Sequence, residues 1–180
     1  MKAVAQSNSA LICLCKDECL IACVCTSGEQ APCVQLSLAY AEKIQLCDQL
    51  EAIADSLPHC VSRFDCIRVA NRLLPLLRES HRYEEEVVFP VFERQSDVLP
   101  KRRSTVLRLK SEHLYDEGAA EEICERLLWI GHGGEIENPE ALGFMLRAFF
   151  DTMRRHIAFE REFVLPAMIL EPILIAKGKG

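Results

Sequence analysis

Residues 138–166 read NPEALGFMLRAFFDTMRRHIAFEREFVLP, and the spacing within this stretch decides the fold. Asn138 is a good N-cap, with a side-chain oxygen that accepts from a backbone N–H left free by the first turn. Pro139 suits the first helical position, where its missing N–H would have had no partner, and Glu140 sets negative charge at the positive end of the helix dipole. Leu142, Met145, Phe149 and Met153 then recur every three or four positions, as one apolar stripe of a helix. His156 and Glu160 continue that stripe before Phe163, Ala167 and Leu170 resume it. Residues four apart lie about one turn apart on one face, so both side chains can reach one point in space. Pro166 cannot donate to the carbonyl of Glu162, so the helix ends or kinks just past the pair.

The same arrangement recurs twice upstream. One stripe runs Leu74, Leu77, His81, Glu85, Val88, Phe92, with Pro90 placed as Pro166 is; another runs Val106, Leu109, His113, Glu117, Ala120, Cys124, Leu127. Three of the five histidines are therefore followed four residues later by a glutamate, and the other two, His59 and His132, fall in loops. A further amphipathic segment spans 34–57, with Leu36, Ala39, Leu46, Leu50, Ile53 and Leu57 on one stripe, and stops at Pro58. The second helix spans about 61–94 with a bend expected at Pro75, and the third runs from about Ser104 to just before Gly131. Four long helices joined by short loops predict an all-α, up-down four-helix bundle.

Composition agrees. In 180 residues, 49% are hydrophobic and 27% charged, with only eight glycines and eight prolines, which favours a helical globular chain. A net charge of −6 and the lack of any basic patch argue against nucleic acid as a partner. Lys16, Asp17 and Glu18 break the apolar run near the start, and Pro166, Glu171 and Pro172 break the one near the end. Neither is a membrane span or an export signal, and the expected location is cytoplasmic. The chain divides into a cysteine-rich extension over 1–32, the bundle over 33–175 and a tail over 176–180. Cys13, Cys15, Cys19, Cys23 and Cys25 match no usual zinc or iron–sulfur spacing, so the extension reads as a loosely ordered appendage. Cys47, Cys60, Cys66 and Cys124 read as small apolar fillers.

Laid on their stripes, all three His/Glu pairs are expected to face one interior. Three carboxylates gathered in a core repel one another, and each loses several kcal/mol of hydration; a cation removes that penalty. A single pair would read as an intrahelical salt bridge, but three on inward faces point to metal ligation by His81, Glu85, His113, Glu117, His156 and Glu160. Mixed imidazole and carboxylate donors suit iron, manganese or zinc better than calcium or magnesium, and six donors exceed the needs of one tetrahedral zinc. Glu84 and Asp116, three residues after His81 and His113, also lie on the histidine faces; Glu84 could replace Glu85 or bridge beside it, and Asp116 has the same relation to His113, but such groups more often face solvent or orient an imidazole.

The motifs HRYEEEVVFPVF, EHLYDEGAAEEI and HIAFEREFVLP, in this order, make the chain resemble the hemerythrin-like family, in its HHE cation-binding branch. The resemblance covers roughly 35–170. It implies a four-helix bundle with a centre of two non-haem iron ions, in proteins that bind or sense dioxygen, handle iron or nitric oxide, or act as regulatory modules. It puts His81, Glu85, His113, His156 and Glu160 at ligand positions, and a small diatomic molecule as the expected partner. Helix one departs from the family pattern, because no histidine precedes Pro58; Tyr40 and Glu42 stand near the expected place. Fewer imidazoles and more carboxylates make a harder site than an oxygen carrier uses. The alternatives are a di-iron oxidase or peroxidase-like enzyme and a metal-free helical interaction module. No nucleophile–base pair or phosphate loop in the sequence favours an enzyme.

Overall fold

The structure, a computed structural model, describes residues 32–94 and 99–168. The readings made for Cys13, Cys15, Cys19, Cys23 and Cys25, and for the tail, fall outside the described residues. Five α-helices follow in order: α1 Pro32–Ser56, α2 Arg63–Tyr83, α3 Phe89–Arg94, α4 Leu99–Gly131 and α5 Pro139–Phe163. A π-helical turn, Glu84–Val88, joins α2 to α3, so those three form one helical run that corresponds to the second helix of the bundle.

Local chemistry explains the boundaries. Ser62 caps α2, its hydroxyl accepting from Asp65 N–H at 3.2 Å, and Asn138 Oδ1 caps α5 by accepting from Ala141 N–H at 2.9 Å, as its position just before Pro139 predicts. α5 stops at Phe163, three residues short of Pro166. In the second helix the regular ladder breaks at the π turn, where Phe89 N–H donates to Glu84 C=O, and not at Pro75, which lies exposed inside α2. Pro90 follows that turn directly and cannot donate to Glu86, so the looser backbone falls where one hydrogen bond is already lost.

The helices pack as a ring in which α2 lies against α4, α1 against α5, and α1–α2 and α4–α5 close the circle. Its centre is filled at one end by Leu50, Leu73, Ile123, Leu127, Leu142 and Leu146, all buried. Each such side chain contributes roughly 1.5–3 kcal/mol through burial, and together they hold the helices that carry the polar groups at the other end. Arg154 on α5 donates to Asp48 at 2.7 Å and Glu51 at 2.6 Å on α1. These exposed pairs fix register more than they stabilise. No described helix is long and apolar enough to cross a membrane.

Candidate metal centre

Among the described residues, eight polar or charged ones are buried: Lys43, Ser80, His81, Glu84, His113, Asp116, His156 and Glu160. Four of them, Glu84, His113, His156 and Glu160, come from the second, third and fourth helices of the bundle and each presents a donor atom, all within 4.8 Å of one another. His113 Nε2 lies 3.1 Å from Glu84 Oε2, and His156 Nε2 lies 3.5 Å from Glu160 Oε1. None of these four atoms has a hydrogen-bond partner. Burying an orphaned polar atom costs about 1–3 kcal/mol, and here several converge on one point. Ligands about 2.1 Å from a shared metal ion sit roughly 3 Å apart, close to the His113–Glu84 separation. The donor set therefore fits a metal cation.

The imidazoles are held from behind. His81 Nδ1 donates to Glu117 Oε1 at 2.9 Å and His113 Nδ1 donates to Glu85 Oε1 at 2.9 Å, while His156 Nδ1 lies 3.1 Å from Glu112 Oε2. A carboxylate at Nδ1 fixes the proton there and leaves the Nε2 lone pair facing inward, the arrangement by which proteins aim and strengthen imidazole ligands. The first two supports are exchanged: Glu85 on the π turn holds the histidine of α4, and Glu117 on α4 holds the histidine of α2. Each links two helices.

The structure thus separates the six residues expected from the spacing. His81, His113, His156 and Glu160 are buried; Glu85 and Glu117 sit at the rim with side chains 34% and 27% exposed. Glu84 and Asp116 occupy the interior places instead. On a helix, the fourth residue on lies about 40° to one side and the third about 60° to the other. His81 flanks the buried row Leu73, Leu77, Ser80, Glu84, so the step of four leaves the core and the step of three enters it. His113 stands in the same relation to Asp116 and Glu117. On α5 the buried row Met153, His156, Ile157, Glu160 keeps the step of four inside. Phe163, placed by the same stripe, is half exposed because α5 ends there. His59 and His132 are exposed.

Helix one supplies a group that the spacing did not reveal. Lys43 is fully buried, and its Nζ donates to Glu84 Oε1 at 2.7 Å; Ser80 Oγ donates to the same oxygen at 2.9 Å. Tyr40 is also buried, beside Glu160, whereas Glu42 points outward to Arg72. Burial alone would raise the Glu84 pKa, but Lys43, with help from His113, holds it below the usual carboxylate range. Burial, and then the charge of Glu160, pushes the Tyr40 phenol well above its ordinary value. Burial, with His113 and Lys43 adding repulsion, drives His81 down to about 2 from 6.5.

That last shift has a measurable consequence. A histidine whose folded pKa is depressed contributes stability that is present above its unfolded pKa and is lost as pH falls toward the folded value. His156 is shifted the other way: burial lowers its pKa, but Glu160 outweighs that and raises it, so its contribution holds below 6.5 and fades as pH rises. Removing His81 should leave the opposing effect. In metal-free protein, the urea midpoint should fall less between about pH 6.5 and 4.5 for His81→Gln than for the unaltered chain; parallel falls would discount the histidine.

Fold and site together define an all-helical bundle built around a buried cation-binding cluster. The family model of the hemerythrin HHE cation binding domain matches residues 42–168, most of the chain, and the protein belongs to that family. Comparison with curated proteins and with solved structures finds no match.

Proposed function

We propose that this hemerythrin-like protein is a non-haem iron module that binds or senses dioxygen or nitric oxide. The observation that carries this reading is the convergence of Glu84, His113, His156 and Glu160, all buried, each with an unpartnered donor atom. Two imidazoles with two carboxylates form a donor set of the kind that suits iron. Bound there, iron supplies a one-electron redox change and an open position for a small ligand. The chain's own residues do the rest. Glu85 and Glu117 hold two imidazoles in place, Glu112 Oε2 lies 3.1 Å from the third, and the Phe89 ring packs against His113 with centroids 5.5 Å apart.

A cavity of about 10 Å³ adjoins Lys43 and is otherwise lined by apolar or weakly polar groups, among them Leu46, Cys47, Leu73, Phe149 and Met153. It offers the room of about one water molecule. Two irons per chain, the count the resemblance implies, would require His81 Nε2 and Asp116 Oδ2 to serve a second ion. A cytoplasmic setting, which keeps thiols reduced, suits the buried, unbridged Cys47, Cys66 and Cys124. The Lys43–Glu84 ion pair favours a second reading, a bundle that stays metal-free and serves as an interaction module.

Anaerobic addition of ferrous iron to metal-free protein, followed by nitric oxide, distinguishes the two. The expected result is tight iron uptake and an iron–nitrosyl spectrum that appears with the metal and vanishes on chelation. Failure to take up iron would select the metal-free module. Iron uptake with no response to either gas would refute the sensing role alone.

A further inference from the structure

The second cation of the centre is already part of the chain. We infer that this bundle holds one divalent metal ion, bound by Glu84 Oε2, His113 Nε2, His156 Nε2 and Glu160, with the Lys43 ammonium taking the place of a second ion. The inference rests on the metal-binding reading above.

Three observations carry it. First, Glu84 Oε1 already accepts from Lys43 Nζ and Ser80 Oγ, so a bridge that gives one oxygen to each of two metals would break both hydrogen bonds. Only Oε2 is uncommitted, which suits Glu84 to terminal ligation of one ion.

Second, the buried charge closes with one ion. Glu84, Asp116 and Glu160 are the buried carboxylates and Lys43 the buried ammonium among the described residues. With the carboxylates ionised, the interior carries two net negative charges. One divalent cation cancels them, whereas two would leave an uncompensated double positive charge in a low-dielectric core, where desolvation is most severe.

Third, the donors are clustered for one ion. Glu84, His113, His156 and Glu160 form a close group, and no second group of three metal-binding side chains comes as close together among the described residues. His81 does not belong to it. Its ring stacks face to face on that of His113, with centroids 3.9 Å apart and planes within 2°, which makes it a support for a ligand.

Manganese(II) is the probe that tests the count, because thiolates bind it poorly and the N-terminal cysteines will not add to the total. Equilibrium titration of the full-length, metal-free chain, read by electron paramagnetic resonance, should show one equivalent bound with the spectrum of an isolated ion. Any second equivalent should bind at least about 100-fold more weakly. Two equivalents of similar affinity, or the spectrum of an exchange-coupled pair, would overturn the inference and leave the metal-binding reading standing. No binding of manganese or of iron would overturn both. Lys43→Met should free Glu84 Oε1, remove the competing charge, and raise affinity for a second manganese at least about tenfold. A folded variant, checked by circular dichroism, that still binds one ion and gains nothing would remove Lys43 from the explanation. The wild-type count stands as a test whether or not that variant folds.

Discussion

Lys43→Met is expected to destabilise the metal-free protein by about 3–5 kcal/mol, because it removes one partner of a fully buried ion pair and leaves the other uncompensated. Lys43 Nζ and Glu84 Oε1 are 2.7 Å apart with both side chains wholly inaccessible, so water cannot take over the lost contact. Methionine matches the lysine stem closely in shape, and little of the effect should come from packing. Glu84→Gln alone should also destabilise, since it leaves the buried ammonium without a counter-charge. The double variant Lys43→Met/Glu84→Gln should be less destabilised than the sum of the two, by about 2 kcal/mol or more, because each substitution removes what the other would have orphaned. Urea unfolding of the four proteins closes the cycle. Additive effects would mean that the pair does not act as a unit.

That lysine also marks where the sequence stops being readable. Long amphipathic segments with capped ends survive translation into structure with little change: the Asn138 cap, the helix that follows it and the inward placement of His81, His113 and His156 all appear as the spacing predicts, because core packing enforces the period. The choice between the third and fourth residue after a histidine is different. Glu84 and Glu85 lie on opposite sides of His81, and which of them enters the core depends on whether His81 is at the centre or the edge of its stripe, a matter settled by neighbouring helices. Three consecutive glutamates, Glu84, Glu85 and Glu86, remove even the help of composition.

Lys43 is less legible still. Leu36, Tyr40, Lys43, Cys47, Leu50 and Ala54 are all buried on α1, at steps of four and three, a more regular stripe than the one that runs through Ala39. A lysine on such a stripe is ordinarily read as a side chain whose stem lies on the core and whose charge reaches water. Only a buried carboxylate on another helix makes full burial affordable, and that carboxylate, Glu84, stands first of three consecutive glutamates that spacing alone does not rank. Glu112 precedes His113 in sequence but lies beside His156 of the adjacent helix, a relation that no spacing within one helix can disclose.

Iron loading should discriminate between the residues that face the metal and those that hold them. His156→Ala is expected to abolish loading, with less than a tenth of the wild-type iron retained. It deletes one of four clustered donors and opens a void beside Glu160, whose oxygens have no hydrogen-bond partner among the described residues. His59→Ala should leave loading intact, since His59 is exposed in the α1–α2 loop. The glutamates provide the sharper comparison. Glu84→Gln removes a donor oxygen from the cluster and should behave like His156→Ala. Glu85→Gln removes only the support at His113 Nδ1, where loss of an orienting partner weakens metal affinity by about 10–100-fold. It should therefore load fully at high iron and lose metal first against a chelator. If Glu85→Gln proved the more damaging of the two, the ligand would be the residue four positions after His81, and the π turn at Glu84–Val88 would have to rotate Glu85 inward when iron binds.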